Sequence, residues 1–201
     1  MSTSQIPRSD RRRRLADAAI RIVARSGVRS LTHRAVDRAA GLPDGTTSYH
    51  AKTRAALLEL VVGELEARTT RNAESVATRL GGLAGVRDTI TVDALAQELD
   101  GLVDDLSARR DDMAARYALI LELDDQPELR QRLRAGGVHE ESYRIAVDAF
   151  SSAGLATDGE NVDDLITLID ALVLERTVIG ATENRSGRII RAYLNGITER
   201  E

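Results

Sequence analysis

Leu31-Thr32-His33-Arg34-Ala35-Val36-Asp37-Arg38-Ala39-Ala40-Gly41-Leu42-Pro43-Asp44-Gly45-Thr46-Thr47-Ser48-Tyr49-His50 is the stretch that decides the fold. Thr32 has the side-chain oxygen of a helix N-cap. Ala35, Val36, Ala39 and Ala40 then recur at the spacing of one helical stripe. Gly41 breaks that helix, Leu42-Pro43-Asp44-Gly45 reads as a turn, and Thr46–His50 is long enough for one more short helix. Upstream, Leu15, Ala18, Ala19, Ile22 and Val23 form a longer stripe that Gly27 ends as a left-handed cap. Three helices, the last two short and joined by a tight glycine turn, make a helix-turn-helix. In such units the second helix of the pair enters the DNA major groove while the first crosses the backbone.

Charge agrees with that reading. Residues 1–54 hold 12 Lys and Arg against 4 Asp and Glu, whereas the remainder holds 16 against 28. A domain-sized basic block on an otherwise acidic chain is the footprint of a polyanion partner, and it ends where the helix-turn-helix ends. The reading segment is Gly45, Thr46, Thr47, Ser48, Tyr49 and His50. Small hydroxyl side chains exchange hydrogen bonds with base edges, and threonine methyls meet thymine. Thr32 and Lys52 stand at helix starts suited to phosphate, and Arg34 adds charge beside them. Arg11–Arg14, Arg29 and Arg38 extend the non-specific attraction. The competing reading of Arg11–Arg14 is a solvated helix face.

Gly27, Leu31-Thr32, Val36, Ala40-Gly41-Leu42-Pro43, Gly45-Thr46, His50, Arg54 and Leu57 together resemble the TetR-type transcriptional regulators. The likeness covers about Leu15–Val62. It implies an all-α homodimer with an N-terminal DNA-binding domain and a variable helical C-terminal domain that binds a small effector and releases DNA. Three positions depart from the family pattern. Ser48 stands where a tyrosine is usual, with Tyr49 following; Ala51 replaces the usual phenylalanine; Asp37 replaces the usual small residue after Val36.

Beyond residue 54 the pattern stays helical. Thr53 opens a helix through Ala56, Leu57, Leu60, Val61 and Leu65 to about Leu80, and Gly81–Gly85 reads as a flexible link. Further helices are predicted over Val92–Ala108, Asp111–Leu123, Pro127–Ala153, Val162–Ile179 and Ser186–Thr198, with Gly136-Gly137 a point where the third of these splits or kinks. The division expected is 1–54 for DNA binding and 55–201 for effector binding and dimerisation. On Asp111–Leu123, Met113, Arg116, Tyr117 and Ile120 share a face. A cation and a phenol among apolar side chains orient a ligand, here an anionic or carbonyl-bearing apolar one. The alternative has Arg116 snorkelling and Tyr117 in the core. Val162–Ile179 is apolar nearly all round and must be covered on both sides, which suits a homodimer interface, the alternative being the central helix of a monomer.

Composition removes other classes. Cysteine is absent, so disulfide and thiolate chemistry are out, as suits a cytoplasmic protein. No apolar run approaches a membrane span, so no membrane partner is expected. His33, His50 and His139 are far apart, and no metal-ligand spacing, phosphate loop or nucleophile–base pair appears, so no cofactor, metal or catalytic residue is assigned. The expectation is a ligand-responsive regulator of double-stranded DNA, a repressor released by a small molecule of unknown identity. The alternative is an architectural DNA-binding protein whose C-terminal half only dimerises. A helical enzyme with a basic arm lacks any supporting motif.

Overall fold

A computed structural model describes residues 8–87, 90–135, 137–180 and 184–198. Among these the chain is helical throughout, with no strand. By packing it forms two compact units. One is Met1–Arg68 with Ala114–Gly136, the other Thr69–Met113 with Gly137–Glu201. The charge boundary at residue 54 falls at the start of a helix inside the first unit.

In that unit α1 (Arg8–Ser26) leads through Gly27, at φ 77°, into a single turn, Val28–Ser30. Then come α2 (His33–Ala40), α3 (Thr46–His50) and α4 (Arg54–Arg87). Leu15, Ala18, Ala19 and Val23 of α1 pack with Val36 and Ala40 of α2 and with Leu57, Leu58, Val61 and Val62 of α4, all buried. Each fully buried Leu or Val contributes roughly 1.5–3 kcal/mol. Ala115, Leu119 and Leu123 of α6 (Arg110–Glu122) and its C-terminal edge, with Leu129 and Leu133 of α7 (Pro127–Ala135), join this same core from far along the chain. Arg132 of α7 fastens to α4 by a fork on Glu66, Nε to Oε1 at 2.9 Å and Nη2 to Oε2 at 2.6 Å, and by a third bond to Glu59. Those hydrogen bonds, Glu66 first, hold its guanidinium firmly charged.

The second unit contains α5 (Val92–Ala108), α8 (Gly137–Ser152), α9 (Gly159–Leu174) and α10 (Ser186–Thr198). α5 and α10 have the bounds the sequence predicts, and Thr91 caps α5 by accepting from the Ala94 N–H. α9 buries Val162, Leu165, Ile169, Leu172 and Val173 within its own unit. It then widens into a π-helical turn, Glu175–Ile179, which leaves Val178 and Ile179 exposed.

One expectation about segmentation changes. Gly81–Gly85 is not a link, because α4 continues through it to Arg87. Glycine costs only about 1 kcal/mol in a helix, so a long helix carries a few. The segment from Pro127 divides where Gly136-Gly137 leads one to expect, α7 ending at Ala135 and α8 beginning at Gly137.

Candidate nucleic-acid interface

α2 begins where Thr32 turns its side chain inward: the Thr32 Oγ1 accepts from the Ala35 N–H at 3.2 Å. It ends at Gly41, whose φ of 63° no ordinary residue adopts easily. There the Gly41 N–H bonds the Arg38 carbonyl and the Leu42 N–H bonds the Asp37 carbonyl. This pair is a Schellman closure, and it reverses the chain within two residues. Gly45, at φ 90°, then starts α3 without any side chain to cap it.

Asp37 supplies the missing cap. Its side chain is 1 % exposed. Oδ2 accepts from the Gly45 N–H at 2.7 Å and Oδ1 from the Thr47 N–H at 2.7 Å, and Oδ1 also accepts the Thr47 hydroxyl. At the other end of α3, His33 Nε2 lies 2.6 Å from the Ala51 carbonyl. A carbonyl only accepts, so Nε2 carries the proton. Arg54 closes the assembly by donating to the Leu31 and Val28 carbonyls at 2.8 and 3.0 Å.

The expected site residues therefore separate by position. Ser48 and Tyr49 are exposed on α3, Tyr49 by 67 %, and Gly45 is exposed at its start. His50 is half-buried, its ring edge-on to Tyr49 with centroids 5.3 Å apart. Thr46 is also half-buried, its hydroxyl donating to the Pro43 carbonyl at 2.6 Å. Thr32, Arg34 and Lys52 are exposed, as are Arg12, Arg13 and Arg14. Thr47 is the exception. Its sequence position predicts a base reader at the groove surface, but it is fully buried with its hydroxyl given to Asp37. On a five-residue helix one face must turn inward, and Thr47 occupies it.

Asp37 and His33 are structural partners of α3 that reading the residues for chemistry passes over, and Arg54 ties the start of α4 to the turn ahead of α2. Two signals are present in the sequence: Asp37 interrupts an otherwise apolar stripe, and His33 precedes it by one helical turn.

The residues expected to meet an effector lie along α6. Arg116 is half-buried, its Nε donating to the Leu133 carbonyl at 2.9 Å and its guanidinium 6.0 Å from the Tyr117 ring centroid. Tyr117 and Ile120 are half-buried in the same unit, and Ile120 packs on its core. Met113 is buried and falls in the second unit. Among the described residues no cluster of His, Cys, Asp or Glu could hold a metal ion, and no helix is long and apolar enough to cross a membrane.

Among solved structures, a putative TetR-family transcriptional regulator from Mesorhizobium loti is 19% identical, with a TM-score of 0.69 and 96% of each chain covered. A putative TetR-family regulator from a Rhodococcus species is 17% identical, again at 0.69, over 94% of this chain and 98% of that one. A putative transcriptional regulator from Saccharomonospora viridis, in complex with choline, is 20% identical at 0.62, over 96% and 98%. These likenesses establish the fold. No curated protein matches the sequence. Residues 90–200 match the family model described as the tetracyclin repressor-like, C-terminal domain. That match spans more than half of the chain and joins the helix-turn-helix ahead of it: the protein belongs to the TetR family of transcriptional regulators.

Proposed function

We propose that this regulator is a homodimeric repressor that holds a palindromic operator in double-stranded DNA and leaves it when a small molecule binds. The observation that carries the reading is α3 itself. A five-residue helix is anchored at both ends, and it turns a large aromatic, Tyr49, outward beside Ser48 amid exposed cations. A surface of that make-up suits a base-reading edge flanked by phosphate contacts. Thr46, Ser48, Tyr49 and His50 are the candidate readers, with Gly45 allowing close approach. Thr32, Arg34 and Lys52 position the backbone. Dimerisation is assigned to the α9 end, where Val178 and Ile179 stand exposed.

The effector is assigned to the α6 face that carries Arg116 and Tyr117, whose cation and phenol would meet a polar group on an otherwise apolar molecule. The choline complex of the Saccharomonospora viridis protein supports small-molecule binding within this fold. Such a protein acts on the chromosome, in the cytoplasm.

The test is nuclease footprinting on the intergenic DNA flanking its own gene, with fluorescence anisotropy on the same DNA over a salt series. We expect a footprint of two half-sites about 34–36 Å apart, or at a multiple of that spacing. The slope of log affinity against log salt should be about −0.9 per phosphate neutralised. Equal binding to every duplex, with no protected site, would replace this reading by the architectural one.

A further inference from the structure

We infer that His33 and Asp37 of α2 are the positioning residues for DNA reading: together they grip both ends of α3 and so set which side chains face the groove. The inference rests on the reading that α3 meets DNA.

α3 has five residues, about 7.5 Å at roughly 1.5 Å per residue. A helix so short does not form alone, because nucleation is unfavourable and few of its backbone bonds are internal. Its first N–H groups are orphans, and Gly45 offers no side chain to satisfy them. The Asp37 carboxylate takes two N–H groups at this end, those of Gly45 and Thr47, and the Thr47 hydroxyl as well. His33 stands one turn earlier on the same face of α2 and donates to the Ala51 carbonyl just past the last turn of α3. An anion at the N-terminus and a donor at the C-terminus both match the helix dipole.

The roll of a helix about its own axis is left open by a single anchor. Two anchors at opposite ends, with Thr47 turned inward between them, leave one roll. That roll puts Ser48 and Tyr49 outward. The atoms with which the two anchors hold α3 are not offered to DNA, yet they decide what DNA meets.

Asn at position 37 keeps the shape but presents only one acceptor oxygen, so its amide N–H2 would confront either the Gly45 or the Thr47 N–H. The experiment compares wild type, Asp37→Asn, Thr47→Val, His33→Leu and His33→Gln for affinity to the operator and to an unrelated duplex, with the folded fraction followed by circular dichroism. Asp37→Asn should lower the preference for the operator by roughly tenfold or more. Its affinity for the unrelated duplex, its salt slope and its folded fraction should stay at wild-type values. His33→Leu should lose preference in the same way, and His33→Gln, which restores an N–H donor, should recover it. Should Asp37→Asn fail to fold, Thr47→Val, which removes only one donor, and the His33 pair decide the matter by the same measurements. Wild-type preference in Asp37→Asn, or parallel loss on both duplexes, would overturn the inference. A wild-type protein that prefers no duplex would instead fail the functional reading beneath it.

Discussion

Each unit contains a buried polar network around a turn, one at Asp37 and one at Ser186, and the two differ in reach. In the first unit, Asp37 bonds residues 8 and 10 positions ahead of it. In the second, the buried Ser186 hydroxyl donates to Asp100, 86 positions away, and accepts from Arg176 Nη2 at 2.8 Å. Arg176 in turn pairs with Asp104, 72 positions away. Gly187 completes that site, since a Cβ there would lie 2.8 Å from the Asp100 carboxylate. The short network encloses a turn whose glycines already prescribe its path. The long one pins the π-helical turn and α10 to α5, and no local pattern prescribes that. Closing a longer loop costs only slightly more chain entropy, so the fold supports both networks while only one leaves a motif.

Three substitutions would break or sharpen this contrast. The largest effect is expected from Leu119→Ala. If the reading unit depended on local structure alone, a residue so far beyond α3 in the chain would matter little to it. Leu119 is fully buried in the core shared with α1 and α4, so its truncation should cost about 2–5 kcal/mol. Urea unfolding monitored with operator binding checks this. Loss of stability without loss of the binding-competent population would separate α6 from the reader.

Ser186→Val tests the long network. It leaves Asp100 and Arg176 without their shared hydroxyl, a penalty of about 1–3 kcal/mol. The denaturation midpoint should fall, while operator affinity per folded molecule should not change. An unmoved midpoint would make the network a consequence of packing and not a cause.

The smallest effect belongs to Arg132→Lys. Lysine keeps the charge but cannot make the two-pronged contact with Glu66. Arg132 is more than a third exposed, so solvent screening limits the loss to about 1 kcal/mol or less. Thermal melting at low and high salt checks both size and sign: the deficit should shrink as salt rises. A deficit that grows with salt would place its origin outside charge.

Legibility follows the same division. Thr32, Gly41 and Gly45 mark the helix-turn-helix to within a residue because caps and positive φ are local demands. The bounds of α5 and α10 are equally plain. Gly81–Gly85 reads as a link in the sequence and is helix in the fold, because propensity is a weak prior against a helix continuing through it. Thr47 looks like its neighbours Thr46 and Ser48, and only the inward roll of α3 distinguishes it.

By itself the sequence determined an all-α chain, a helix-turn-helix, a basic reading end and a family, since periodicity, turn chemistry and charge are carried by neighbouring residues. Tertiary structure alone decided that Asp37 caps a helix it does not belong to, and that α6 and α7 complete the core around the reader. It also decided that Ser186 joins Asp100 to Arg176. Each of these depends on which distant surfaces meet, and a side chain's partner is fixed by that meeting and not by its place in the chain.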